Sequence, residues 1–190
     1  MIIGVDEVGR GSWAGPVCVA AVALGEVAID GLADSKILSL PVRRKLATLV
    51  KRRAEYVGIG WASAADVDAL GLSGALKIAG LQAIRNCAAT DTIILDGNFN
   101  YLQDSRVRTV VKGDALHPEV SAASIVAKVA RDNYMSMLAH KYSDYGFDRH
   151  VGYGTAGHRQ ALAKVGPSDI HRRRFSPIRL LEAQQNPDAA

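Results

Sequence analysis

Three short apolar runs in this chain deliver acids at or near their ends. Ile2 to Val8 carries Asp6 and Glu7, Thr92 to Asp96 closes on its own aspartate, and Arg106 to Val111 is followed at once by Asp114. A carboxylate at the end of a buried strand is costly unless a cation or donor compensates it. One such acid is ordinarily a turn residue or a helix cap. Three separate strands each delivering one constrain the fold more tightly. If the strands are neighbours, the acids converge at one end of a sheet.

The rest of the pattern supplies a sheet for them. Ile2 to Val8 and Val17 to Leu24 flank a glycine-rich turn and read as paired strands. Ser39-Leu40-Pro41 opens a helix with Val42, Leu46, Leu49 and Val50 on one face, and Tyr56 to Ala62 is a third strand. Ser63 to Cys87 reads as two helical pieces broken at Gly71, with Ser63 and Ser73 as N-caps. The two later acid-bearing runs are strands four and five, and Pro118 starts a long helix to about Lys141. Beyond Tyr142 short helices are expected near Ala156 to Val165 and Ser176 to Gln184. A hairpin followed by alternating strands and helices predicts an α/β fold, a mixed five-stranded sheet flanked by helices. The expected organisation is one domain over 1–190, with a core at 1–141 and a C-terminal helical extension at 142–190.

Composition narrows the class further. Of 190 residues, 48% are hydrophobic and 22% charged, which excludes wholesale disorder. The longest uncharged stretch, Gly11 to Gly25, is too short to span a bilayer, so no membrane association is expected. The start does not read as a signal peptide, and a cytoplasmic protein is expected. Cys18 and Cys87 lack any metal-ligand spacing and read as reduced thiols. The excess of 23 basic over 19 acidic residues is modest and only raises the odds of a polyanionic partner.

Clustered acids repel and raise one another's pKa, so the arrangement makes sense chiefly around hard divalent cations. Oxygen-only ligation points to Mg²⁺ or Mn²⁺, and two such ions about 4 Å apart can clamp a phosphodiester. Adjacent strand residues point to opposite faces, so Asp6 and Glu7 cannot both aim inward from a regular strand. Either the strand is distorted near Gly9 or Glu7 arrives from the edge. The turn Gly9-Arg10-Gly11 is a hairpin connection whose glycines also let backbone groups approach a ligand closely. On the long helix Ser121, Ser124, Lys128, Arg131 and Asp132 share one arc, which suits a phosphate backbone if it lies beside the acids. Apolar residues, among them Ala122, Val126, Val129 and Met137, share the other arc. The run His171-Arg172-Arg173-Arg174 could steer a polyanion. His150, His158 and His171 have no ligand spacing and are not read as metal ligands.

Taken together, these motifs resemble the type 2 ribonucleases H, the bacterial ribonuclease HII family. The residues that carry the resemblance are Asp6-Glu7-Val8-Gly9-Arg10-Gly11, Ala14-Gly15-Pro16-Val17, Asp34-Ser35-Lys36, Asp96-Gly97, Lys112-Gly113-Asp114, Ser121 to Lys128, Gly152-Tyr153-Gly154-Thr155 and His171-Arg172-Arg173. The resemblance implies a ribonuclease H-like fold and metal-dependent endonucleolytic cleavage of the RNA strand in RNA–DNA hybrids. It also implies cutting on the 5′ side of single ribonucleotides in duplex DNA, which leaves 5′-phosphate and 3′-hydroxyl ends and serves ribonucleotide removal in DNA repair.

It assigns the metal-site acids to Asp6, Glu7, Asp96 and Asp114, and the 2′-hydroxyl contact to Gly9, Arg10 and Gly11. It assigns the sugar-packing tyrosine to Tyr153 and places Lys36 and Lys128 near the phosphates; the helix arc adds Ser121 and Ser124, and the basic run adds Arg172, as expected substrate contacts. Ile37, Val151 and Arg174 depart from the family's usual lysine, basic residue and serine. The last ten residues lack the aromatic pair of a clamp-binding peptide, and with no exposed apolar stripe a monomer is expected. Two rivals keep part of the pattern. Another nuclease of the same fold, an exonuclease or resolvase, explains the acids but not Gly9-Arg10-Gly11 with Tyr153. A non-catalytic RNA–DNA binding module has no use for four acids that repel its ligand.

Overall fold

A computed structural model describes residues 1–32, 35, 38–88 and 91–185. Five strands, β1 (Ile2–Val8), β2 (Val17–Ala23), β3 (Tyr56–Ala62), β4 (Thr92–Asp96) and β5 (Val107–Val110), form one sheet in the order β3-β2-β1-β4-β5. The pairs β1–β2 and β2–β3 are antiparallel, whereas β1–β4 and β4–β5 are parallel. The mixed sheet read from the sequence is therefore present.

All seven residues of β2 are buried, because both faces of this strand are covered. Its odd positions Val17, Val19, Ala21 and Ala23 pack with α2 (Ala64–Ala83). Its even positions Cys18, Ala20 and Val22 pack with α1 (Leu40–Arg53) and with the helix of residues 118–141. Before that long helix comes the one-turn α3 (Gly113–Leu116), so the long helix, Pro118–Lys141, is α4. Gly4 of β1 lies under α4, and a Cβ there would fall 2.1 Å from the Glu119 carbonyl carbon. That close approach puts the first turns of α4 against the sheet near the acids.

The sequence expectation for α2 holds in outline. Ser63 caps it with a full capping box to Asp66, and Gly71 (φ 72°) kinks it. The second piece resumes directly after Gly71, so Ser73 lies within its first turn and is not a cap. The C-terminal part adds α5 (Phe147–His150), α6 (Ala156–Val165) and α7 (Ser176–Gln185). Their apolar faces bury Tyr145, Phe147, Leu162 and Ile178 against Met135 of α4 and Ala14 of the β1–β2 turn. The extension thus holds the glycine turn from behind. Among the described residues no helix is long and apolar enough to cross a membrane.

The two-arc expectation for α4 needs correction. From Val120 to Ala127 every residue is buried, the two serines included, because this stretch lies between the sheet and α1. Met137, expected on the apolar side, is 65% exposed, and Arg131, expected on the phosphate side, is fully buried.

Candidate active site

A cleft of about 480 Å³ opens at one end of the sheet. It is lined by Asp6, Glu7, Asp96 and Asp114, by Gly9, Arg10 and Gly11, and by Ser35, Ser124, Lys128 and Tyr153. The sheet register explains the gathering. Val5 pairs with Leu95 across parallel strands, so one residue further on Asp6 and Asp96 come level. Asp114 follows on the next parallel strand, after the chain turns through Lys112 in the left-handed region (φ 58°) into α3.

The difficulty with Asp6 and Glu7 is resolved without distorting the strand. Both belong to β1, paired regularly with Ala20 and Val19 of β2. Asp6 points to the α4 face and Glu7 to the opposite face, and both reach one cleft because it lies across the strand end, where the β1–β4 pairing has stopped at Val5. On its own side Glu7 is held by two donors. The Tyr101 hydroxyl lies 3.1 Å from Oε2 and the Arg10 guanidinium 2.8 Å from Oε1. Burial raises the Tyr101 hydroxyl well above its ordinary pKa, and the charges of Glu7 and Asp6 add to the effect. Tyr101 therefore stays protonated and can donate.

Asp6 carries an electrostatic penalty for ionising. Burial above all, with the neighbouring Glu7 and Asp96 charges, pushes its carboxyl up to about 7, against a lowering hydrogen bond from Ser124. The Ser124 hydroxyl lies 3.0 Å from Ser35 Oγ. With Ser124 donating to Asp6, Ser35 donates to Ser124 and completes a short relay. Asp96 accepts from the Gly113 amide at 2.7 Å through Oδ1, which fixes its rotamer and orients the turn that carries Asp114.

These residues fit a hard cation. The donors are carboxylate oxygens, and the cost of Asp6 ionisation is the cost a cation removes. Among the described residues no three His, Cys, Asp or Glu side chains stand close enough to enclose an ion by themselves. In a Mg²⁺-type site protein carboxylates are completed by water and substrate phosphate.

The expected substrate residues divide. Lys128 lines the cleft, with its ammonium 2.9 Å from Asp132 Oδ1. Ser124 lines it also, whereas Ser121 is buried next to it in the same helix and is absent from the cleft lining. Lys36 lies outside the described residues. Arg172, expected on the phosphate surface, is fully buried. Its guanidinium donates to the Gly15 carbonyl at 2.9 and 3.1 Å and to the Arg10 carbonyl at 3.0 Å. The rest of that basic run is also engaged locally. Arg173 pairs with Glu182, and Arg174 donates to the Asp68 carbonyl at 2.8 Å.

Tyr153 reaches the cleft through a rigid segment. The Gly152 carbonyl accepts from the Trp13 amide at 2.8 Å, and the Arg131 guanidinium lies 5.6 Å from the Tyr153 ring centre. Behind it the Tyr153 carbonyl meets His158 Nδ1 at 3.0 Å, and His158 Nε2 meets His171 Nε2 at 3.0 Å. Burial pushes both histidines down to about 4, so both are neutral near pH 7. His171 Nδ1 accepts from the Ser168 amide at 2.9 Å, so its Nε2 carries the proton and donates to His158, which donates on to Tyr153.

Tyr101 was not legible as a site residue, because its contact with Glu7 spans a long sequence separation that no local pattern marks. Arg131 and His171 stood out in the sequence, but as candidates to meet a polyanion and not as supports behind the glycine turn and Tyr153.

Comparison with known proteins now adds an independent line. A family model for ribonuclease HII matches residues 3–178. A ribonuclease HII of Halorhodospira halophila is 46% identical over 186 residues, covering 95% of this chain and 94% of the relative. One from Prochlorococcus marinus is 44% identical over 181 residues, covering 92% and 83%. Among solved structures, the ribonuclease HII in a complex with PCNA from Archaeoglobus fulgidus superposes with a TM-score of 0.78 at 27% identity, covering 95% of this chain and 96% of that one. The ribonuclease H2 of Pyrococcus horikoshii shares the fold, with a TM-score of 0.73 at 24% identity, covering 96% and 97%. On a match that runs almost from end to end, the chain belongs to the ribonuclease HII family, the type 2 ribonuclease H endonucleases.

Proposed function

We propose that this chain hydrolyses the RNA strand of RNA–DNA hybrids and cuts duplex DNA at embedded ribonucleotides. In this reading it cuts on the 5′ side of the ribonucleotide, leaves 5′-phosphate and 3′-hydroxyl ends, and uses two divalent cations, Mg²⁺ or Mn²⁺. The observation that carries it is one cleft lined by four carboxylates at strand ends and by Gly9, Arg10, Gly11 and Tyr153. The carboxylates suit phosphodiester hydrolysis in general; the glycine turn and tyrosine suit a choice between ribose and deoxyribose.

Asp6, Glu7, Asp96 and Asp114 would hold the ions. When bound, divalent ions supply Lewis-acid polarisation of the scissile phosphate and neutralise charge that develops on it. The chain's own residues do the rest. Ser124 and Tyr101 keep Asp6 and Glu7 oriented, and Arg10 leaves Glu7 at little cost because it is largely solvated. Lys128 offers a cation beside the acids for a backbone phosphate. Tyr153 packs a ring on the sugar next to the ribonucleotide, and its hydroxyl can hydrogen-bond at the junction.

The test is cleavage of a duplex with one ribonucleotide, with Mg²⁺, with Mn²⁺ and with chelator, followed by ligation to identify the product ends. Cation-dependent incision 5′ to the ribonucleotide is expected. Failure to cut with either cation, or cutting of all-DNA duplex at the same rate, refutes the reading. Tyr153→Ala should lower kcat/KM on this substrate roughly tenfold or more, and Tyr153→Phe less. A long hybrid offers many registers and should be affected less by either change. Equal losses on both substrates would show that Tyr153 supports the site generally.

A further inference from the structure

Arg131 and Arg172 are two fully buried arginines, and among the described residues neither forms a salt bridge. Their guanidiniums face backbone oxygens of the glycine turn. Arg131 donates to the Pro16 carbonyl (2.8 Å), the Ala14 carbonyl (3.2 Å) and the Ser12 hydroxyl (2.7 Å), and on the other side to the Val151 carbonyl (2.9 Å). The Ser12 hydroxyl passes this on, donating to the Gly9 carbonyl at 2.8 Å. Arg172 takes the Arg10 and Gly15 carbonyls. Burying two cations with only neutral partners is costly, and a core this small has cheaper ways to close a turn.

What the arginines settle is polarity. In a trans peptide the carbonyl of one residue and the amide of the next point in opposite directions. With the Gly9 carbonyl drawn to Ser12 and the Arg10 carbonyl drawn to Arg172, the amides of Arg10 and Gly11 are turned the other way. That way is the cleft, because Gly9, Arg10 and Gly11 line it while both arginines lie behind. Gly9 is held in the left-handed region (φ 91°), and a Cβ there would strike Arg131 Nε at 2.3 Å. The glycine is therefore required by the arginine behind it as well as by a ligand in front.

We propose that Arg131 and Arg172 are positioning residues for ribose recognition: they hold the turn so that two consecutive amides, those of Arg10 and Gly11, face the sugar as a fixed pair of donors. The proposal rests on the reading that this turn contacts the 2′-hydroxyl. Two preset donors cost nothing to order when the substrate arrives, and a deoxyribose leaves them without an acceptor. Arg131 also lies against the Tyr153 ring and holds the Val151 carbonyl, so one side chain ties both halves of the sugar-reading site together.

Equilibrium binding tests it, in an Asp6→Asn background that does not cut, with two duplexes differing in a single 2′-hydroxyl. Ser12→Ala removes the link from Arg131 to Gly9 with the least disturbance, and Arg172→Lys keeps the charge but cannot hold both carbonyls. Thermal unfolding checks that each variant is folded at the assay temperature. Each should lower the preference for the ribonucleotide duplex roughly fivefold, the worth of one hydrogen bond, while affinity for all-DNA duplex stays within about twofold. A folded variant that keeps the parent's preference overturns the inference and leaves the 2′-hydroxyl reading standing. A parent protein with no preference overturns both. An equal loss of affinity for the two duplexes shows that the arginines serve only the fold.

Discussion

Asp6 is partly buried at the cleft, flanked by Glu7 and Asp96, and its carboxyl is pushed up to about 7 from an ordinary value near 4. A carboxyl raised in the folded state opposes folding as pH rises: the penalty is absent below about 4 and complete above about 7. Asp6→Asn should therefore abolish cleavage while stabilising the cation-free protein above pH 7, on the order of 2 kcal/mol. Below pH 4 the gain should vanish. Added Mg²⁺ should raise the Tm of the parent protein more than that of the variant, since binding to the folded state alone stabilises it. Near-normal turnover of Asp6→Asn at saturating Mg²⁺ would sink the assignment. Lys128 supports a separate prediction. Lys128→Ala should weaken substrate binding independently of base sequence and flatten the slope of log affinity against log salt by about one ion. The salt bridge to Asp132 will blunt the effect on stability, because Arg43 remains 3.7 Å from the same carboxylate. An unchanged slope would mean that the ammonium only balances Asp132.

At the scale of elements, the site depends on how tightly α4 lies on β1. Gly4 allows that approach, and a methyl group there would meet helix backbone at 2.1 to 2.5 Å. Backbone cannot rotate away, so Gly4→Ala should destabilise by about 3 kcal/mol and lift the first turns of α4, which carry Ser124 beside Asp6. The expected result is a lower urea midpoint together with lower kcat/KM. A stable variant with reduced turnover would separate the two effects, and an unaffected one would mean that α4 can shift freely. The same elements show how far local pattern reaches. The helix starts at Ser63 and Pro118, the helix near Ala156 and the break at Gly71 were legible because capping and backbone chemistry act within a few residues. The one-turn helices α3 and α5 were not, because four residues carry no periodicity.

On the scale of the whole molecule, the extension and the core meet at neutral histidines. His158 and His171, held near 4 against about 6.5 when unfolded, do not take up protons that the unfolded chain binds. Their contribution is complete above pH 6.5 and is lost as pH falls toward 4. Unfolding by urea from pH 7 to 4.5 should show stability falling with acidity, with a slope approaching roughly two protons. The Asp6→Asn background is the right one for it, since Asp6 contributes with the opposite sign over the same range. His158→Gln should reduce the slope; an unchanged slope would place the linked protons elsewhere.

The sequence by itself determined the five strands, the long helices and the acids at the strand ends, each a matter of period, capping or spacing within some twenty residues. The glycine turn and Tyr153, far apart in the chain, were joined in one pattern only by the family resemblance. Tertiary structure alone decided that Asp6 and Glu7 share a cleft from opposite faces of β1, because a strand end is open on both sides only when its neighbour stops short. It also decided that Arg131 and Arg172 turn inward. An arginine on a polar arc and one in a basic run carry the same local signal whether they meet phosphate or a buried carbonyl, and only the chain packed around them tells the two apart.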